Sequence, residues 1–327
     1  MIRLTGVELR RLTARRITMI GVAGVVLITA FLLFVTWREA RPLSEAEQRQ
    51  SQVQFESSHK EWAEHHVENE AECRKGWDQN ANPGAKMEEV CAYPEPKAED
   101  YGKPQAKFAE LIPNLLQGSS YFLLFAGFLI GASFVAAEFS SGAIGNWLTF
   151  EPRRMRVYGS KIAAAGLWFV PVAVVITGVV TLGTYLITAQ LGSTAGTDWS
   201  DVIGTAVRVV VTTAMGAVLG SVVGLILRHT AAAIGVVMGY IVLVEAVFGS
   251  FLQSAQPWLL GKNFDAFVLH DTTYYLNNCK VQTNDGNYVC ETIEKTLTFE
   301  HGAWYLGILT LVAVLLAGVI FQRRDVN

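Results

Sequence analysis

Charge is what this chain has least of: Asp, Glu, Lys and Arg supply 17% of its 327 residues, against 51% hydrophobic ones. Soluble domains of that combined length carry more surface charge, so the composition excludes them and points to a chain that lies largely in lipid. Cysteine is sparse too, with four residues, and none is in the C-x-x-C spacing of common structural zinc sites. No strand-like alternation of apolar and polar residues runs along the apolar segments, and there is neither an internal repeat nor a low-complexity tract. Also missing is G-x-x-x-x-G-K-[ST], the loop whose backbone amides cradle nucleotide phosphates. Gly159-Ser160-Lys161 lacks the upstream glycine and abuts an apolar run, while Gly261-Lys262 is followed by Asn263. No Ser/His/Asp or paired-carboxylate spacing of a hydrolase stands out, and His270-Asp271 reads as a loop hydrogen-bonding pair. The expectation is a protein that is not an enzyme by itself, with no catalytic residue and no metal.

What is present is six apolar runs, each long enough to cross a hydrocarbon core of about 30 Å, which takes roughly 20 helical residues. They fall at 17–37, 120–137, 162–188, 205–227, 231–252 and 303–321. Lipid offers the backbone no hydrogen-bond partners, so each run must be helical, and the expected fold class is an all-α membrane protein. The first run follows a basic start and could pass for a signal peptide. Its length and the following Arg38-Glu39-Ala40-Arg41, which offers no small-residue cleavage site, make it a retained anchor instead.

The remaining segments divide by charge. Residues 1–16, the link 138–161, Arg228 and the tail 322–327 hold 12 basic and 4 acidic residues; the segments 38–119 and 253–302 with the short link after the third run hold 13 basic and 24 acidic. Short arginine-rich links face the cytoplasm, which puts both termini inside. All four cysteines, Cys73, Cys91, Cys279 and Cys290, fall in the two long segments assigned outside, where disulfides persist. Three connectivities are open to four cysteines; pairing Cys73 with Cys91 and Cys279 with Cys290 closes one local loop in each segment.

Within 38–119, Ser44 and Glu47 have capping-box spacing ahead of a helix-compatible stretch towards Gly76, a Pro/Gly/Asn break follows at Asn80 to Gly84, and a second helix is expected from Pro104 to Gln117. The plain reading is a disulfide-pinned helical hairpin over the outer mouth; the sharper one is a docking platform for substrate or an envelope partner. In 253–302, Asp285-Gly286 between Cys279 and Cys290 marks a tight turn in a small hairpin.

Inside the apolar runs, G-x-x-x-G spacing at Gly127/Gly131, Gly216/Gly220/Gly224 and Gly235/Gly239 offers flat strips for close helix approach. These serve packing within one subunit or a subunit interface. Two formal charges also lie there. Arg208 is about one turn from the outer end of the fourth run and can snorkel; Glu245 lies roughly 10 Å from the outer end of the fifth. The first expectation is a pair between them, then a protonated carboxyl hydrogen-bonded to a neighbour, then a substrate contact.

The stretch from Gly131 reads GASFVAAEFSSGAIGNWLTFEPRRMRVYGSKIAAA: an acid (Glu138), a Ser141-Gly142 turn, a short apolar piece, a Pro152-Arg153-Arg154 element, and Lys161 opening the next run. With the chain end Phe321-Gln322-Arg323-Arg324-Asp325-Val326, it resembles the ATP-binding-cassette (ABC) type 2 permease family. The likeness implies that Gly142 to Glu151 is a coupling helix held in a groove of a separate ATPase subunit, with Ile144, Trp147, Leu148 and Phe150 as its apolar surface and Glu138, Pro152 and Arg154 flanking it. Composition alone would equally let Trp147 lie in the membrane interface with the arginines as anchors. The likeness further implies a basic helix on the inner surface at Met1 to Arg16, although Ile2, Leu4, Val7, Leu9 and Leu12 form no single clean stripe.

The expected function is thus the permease subunit of an ATP-driven exporter in the bacterial cytoplasmic (plasma) membrane. It works by alternating access with an ABC ATPase subunit, a second permease subunit and membrane lipid as partners, and nucleic acid plays no part. No cofactor is expected in this chain, ATP and Mg being bound by the partner. Two rivals remain open: an ATP-independent secondary transporter using Glu245 as its ion or proton site, and a non-transporting scaffold or sensor built on 38–119.

Overall fold

The computed structural model describes residues 2–77, 86–281 and 288–323, without the side chains of 250, 278–281 and 288–290. Twelve α-helices and one β-hairpin follow in chain order among these residues: α1 (Ile2–Thr13), α2 (Arg16–Ala40), α3 (Glu45–Gly76), α4 (Met87–Val90), α5 (Phe108–Ser140), α6 (Ala143–Phe150), α7 (Arg154–Leu191), α8 (Trp199–Leu227), α9 (Thr230–Gly239), α10 (Gly249–Phe251), α11 (Leu260–Leu269), β1 (Thr272–Val281), β2 (Tyr288–Leu297) and α12 (Phe299–Arg323). Short 3-10 turns cover Ala98–Tyr101 and Gln253–Trp258, and α9 continues into α10 through a π-helical stretch, Tyr240–Phe248.

Six helices are long and apolar enough to cross a membrane: α2, α5, α7, α8, α9 with its π continuation, and α12. Several outrun the apolar runs that reveal them. The helix expected from Pro104 begins instead at Phe108 and runs with the second apolar run as one helix of 33 residues, α5, because nothing after Gln117 stops propagation. Likewise α7 has 38 residues and begins eight residues before the apolar run at Ile162. Hydropathy marks only the part that needs lipid, while helical hydrogen bonding continues into polar ends.

The bundle is built around α5 and α8. A Cβ added to Gly131 would strike the Ala217 carbonyl and lie 3.0 Å from Ser221 Oγ; one on Gly220 would overlap the Phe128 carbonyl, and one on Gly224 that of Ala132. A Cβ added to Gly127 would lie 3.0 Å from Thr213 O, and one on Gly216 would strike Leu124. The two glycine sets therefore pack against each other inside one chain, letting two backbones touch where any side chain would hold them apart. Gly235 and Gly239 have no such neighbour within 4 Å. The fifth span is correspondingly peripheral, with 6% of its apolar window buried against 61% for α5 and 56% for α8.

Two apolar cores occupy the two ends. At one, Leu12 of α1, Phe134, Ile144, Tyr158, Leu225 and Phe321 come together; this is the arginine-rich end, where α1, α6 and the last turn of α12 meet. At the other, Phe108, Ile112, Leu116, Val180, Val202, Phe264 and Val268 do so. This is the cysteine-bearing end.

Beyond that end, α3 opens with a capping box in which the Glu47 amide donates to Ser44 Oγ (3.4 Å) and the Ser44 amide to Glu47 Oε2 (2.8 Å). Phe55, His59, Trp62 and His66 line one helical face. Against it lies an irregular strap rather than a second long helix: Trp62 Nε1 donates to Tyr93 O (2.7 Å), His59 Nε2 meets Glu95 Oε1 (2.9 Å), and a disulfide joins Cys73 to Cys91. The hairpin is the exception to an all-α class. β1 and β2 run antiparallel with Cys279 opposite Cys290 in register; the bond expected between those two, the Asp285-Gly286 turn and the break at Asn80 to Gly84 lie outside the described residues.

Candidate functional site

The link between the second and third spans is short and tightly specified. α5 ends at Ser140, and Gly142, at φ 70°, takes the left-handed conformation that lets the chain double back into α6 without the cost a side chain would add. Pro152 has no amide hydrogen to continue α6 and holds Glu151 extended, so α7 starts afresh at Arg154. On the resulting eight-residue helix Ile144 is 2% exposed, seated in the core, while Phe150 is 86% exposed beside an open Pro152. Asn146 and Thr149 are also open to the outside, and Leu148 is half-buried.

Under α6 lies a group of charges that the sequence reading did not assemble. Lys161 Nζ sits 2.8 Å from Glu8 Oε1 and against Glu138 Oε2. The second is a contact of opposite charges without hydrogen-bond geometry. Arg11 Nη1 closes the square, 3.0 Å from Glu138 Oε1 and 3.4 Å from Glu8 Oε2. Glu8, Glu138 and Lys161 are all buried. Trp147 covers the group with its ring: Arg11 Cζ is 5.1 Å and Lys161 Nζ 5.9 Å from the ring centroid, a favourable arrangement for a cation over an indole face. Arg15 lies 5.6 Å from the Phe134 ring centroid and donates to Ser133 O (3.3 Å); burial pushes its guanidinium pKa down. Glu138 stands in the last turn of α5, where the helix dipole disfavours an anion. The surrounding cations offset that penalty.

The residues expected to form one coupling surface thus split into two sets. Glu138, Ile144 and Trp147 face inward; Phe150, Pro152 and part of Leu148 face out, with Gly142 at the hinge. Arg154 turns towards the end of α12, donating to Gln322 O (3.5 Å). Three residues carry more than the sequence reading gave them: Glu8, Arg11 and Lys161. The signal for Glu8 was there, since it is the single acid among residues 1–16.

At the other end, the expected Arg208–Glu245 pair is not formed. Arg208 Nε donates to Val268 O (2.9 Å), and its Nη2 reaches Thr205 Oγ1 (2.7 Å) and Asp201 Oδ1 (3.6 Å). Glu245 Oε1 instead accepts from Tyr240 Oη (2.8 Å) and from the Gly261 amide (3.0 Å). The reason is the π stretch: its wider turn brings Tyr240 and Glu245 together, and their oxygens receive the first amides of α11, Leu260 N on Tyr240 Oη (3.2 Å) and Gly261 N on Glu245. With these donors the Glu245 side chain is partnered without an arginine.

A family model described as Protein of unknown function (DUF2705) matches residues 85–327. No curated protein and no solved structure matches the chain.

Proposed function

The chain belongs to the DUF2705 family, and because that description names no activity, we propose from the site itself that it is the permease subunit of an ATP-driven exporter, docked through α6 to a separate ATPase. The arginine-rich end is the cytoplasmic one by the distribution of basic residues. One observation carries the reading. α6 is rooted in the core by Ile144 and presents Phe150 and Pro152 outward. A large aromatic side chain left open on a short helix between two spans is the anchor a partner's groove would take.

In this reading ATP and Mg are held by the partner, and closure of its subunits pushes on α6. The push passes into α5 and α7, which α6 joins directly, and through α5 into α8. A pair of such bundles then alternates between inward and outward openings, each favoured by the nucleotide state that binds it better. Glu245, on which the secondary-transport rival rests, lies against α11, accepting from Tyr240 Oη and the Gly261 amide.

The test is purification of the tagged chain from its native membrane, followed by identification and ATPase assay of what stays bound. A nucleotide-binding subunit should be retained by the natural chain and lost from the Phe150→Asp variant, with helical content unchanged. Full retention and full transport by Phe150→Asp would remove α6 as the docking element, and absence of any ATPase from the natural complex would remove the class.

A further inference from the structure

The four charges beneath α6 divide in an uncommon way. Within α1, Arg11 and Glu8 face each other at 3.4 Å; between α5 and α7, Lys161 and Glu138 make their own contact. Each pair is neutral by itself. Two further ties, Lys161 to Glu8 at 2.8 Å and Arg11 to Glu138 at 3.0 Å, join the pairs across the surface on which α1 sits.

Buried ion pairs are costly to break because one partner is normally left stranded. Here separation strands nothing, since each half departs with its own counter-ion. α1 also packs along α7. Leu12 is fully buried in the shared core, and Trp168 Nε1 donates to Thr13 Oγ1 (3.0 Å). A two-residue connection, Ala14-Arg15, joins α1 to α2, so α1 can swing without unwinding a span.

What α1 holds is α6. Leu12 and Ile144 belong to one apolar core, and Arg11 is the cation nearer the Trp147 ring. With α1 lifted, Trp147 loses Arg11, and the core that seats Ile144 loses Leu12. We propose that α1 is a releasable latch on α6, closed by the Glu8–Lys161 and Arg11–Glu138 ties. Its opening would detach the coupling helix from the bundle and so regulate export, a role that rests on the docking function proposed for α6.

The latch is tested by cysteine reactivity in the purified full-length protein in detergent, with no ATPase present. Single cysteines replace Leu12, Ile144 or Val222, the last being a member of the same core on α8, and maleimide labelling is timed against the chain carrying only its native cysteines. Adding Glu8→Gln should speed labelling at Leu12→Cys and Ile144→Cys by about tenfold or more, since a buried tie is lost and a charge stranded, and leave Val222→Cys unchanged. Arg11→Gln, which cuts the other tie, should give the same pattern. Faster labelling at Leu12→Cys alone would show that α6 stays put without α1 and overturn the latch. An equal rise at all three sites, or at none, would also overturn it, as general loosening or as no release. If the natural chain retained no ATPase while the labelling pattern held, only the coupling role would fall.

Discussion

The two ends of the bundle handle charge in opposite ways. At the cysteine-bearing end, each intramembrane ionisable group is answered by one main-chain group together with side chains of its own span: Arg208 by Val268 O with Thr205 and Asp201, Glu245 by the Gly261 amide with Tyr240. At the arginine-rich end, side chains answer side chains across three helices, and Glu8 meets a lysine 153 residues away. Main-chain partners are fixed by secondary structure and cannot move independently of it. Side-chain ties between helices can be made and broken as units, which is what a moving element requires. We propose that the cysteine-bearing end serves as frame and the arginine-rich end as mechanism.

The largest effect should come from breaking the inner set at its centre. Lys161→Met leaves Glu8 and Glu138 buried with only the half-exposed Arg11 to answer them. Removing one partner of a buried pair costs about 3–5 kcal/mol. Thermal unfolding in detergent should show that loss, whereas Arg208→Met, whose charged partner Asp201 is largely exposed, should cost about 1 kcal/mol or less. Equal losses at the two ends would erase the distinction between them.

Next in size is the helix contact that joins the ends. Gly220→Ala puts a methyl group into the Phe128 carbonyl, a backbone atom that cannot step aside; overpacking of this kind costs about 1–3 kcal/mol. Gly235→Ala meets open space and should stay within about 0.5 kcal/mol of the natural protein. If Gly235→Ala instead weakened self-association measured by light scattering in detergent, the strip would belong to an interface with another copy.

That contrast also shows what can be read from sequence. Six spans were legible because bilayer thickness dictates the length of an apolar helix, and glycines four apart marked the α5–α8 contact because only glycine lets backbones touch. The same spacing at Gly235 and Gly239 looked identical, yet nothing among the described residues packs on it. Spacing identifies a surface, and only the fold identifies its partner. The inner charge set was illegible for the same reason. Glu8 and Lys161 each have an ordinary local reading, as a solvated acid in a basic helix and as a lysine at a span's mouth, and their meeting depends on how α1 folds back. The Arg208–Glu245 pairing failed for a different cause: it assumed a regular fifth helix, and a π stretch has no plain sequence signature.

The smallest effect tests whether outer ties are local. The Glu47 carboxyl is held below the ordinary carboxylate range, first by the Ser44 hydroxyl (2.7 Å) and then by the Ser44 amide (2.8 Å). A depressed value means that the folded state favours the ionised form, so its contribution is present above the unfolded-state pKa and is lost as pH falls through the folded one. Acid should therefore fray the first turn of α3, lowering hydrogen-exchange protection, corrected for intrinsic rates, at the Gln48 amide, which donates to Ser44 O (2.8 Å). Amides of α5 and α8 should keep theirs. Glu47→Gln should lower the protection at neutral pH and make it independent of acid. If α5 lost protection in step with Gln48, the cap would be coupled to the bundle, and the outer end would no longer be a frame of separate local ties.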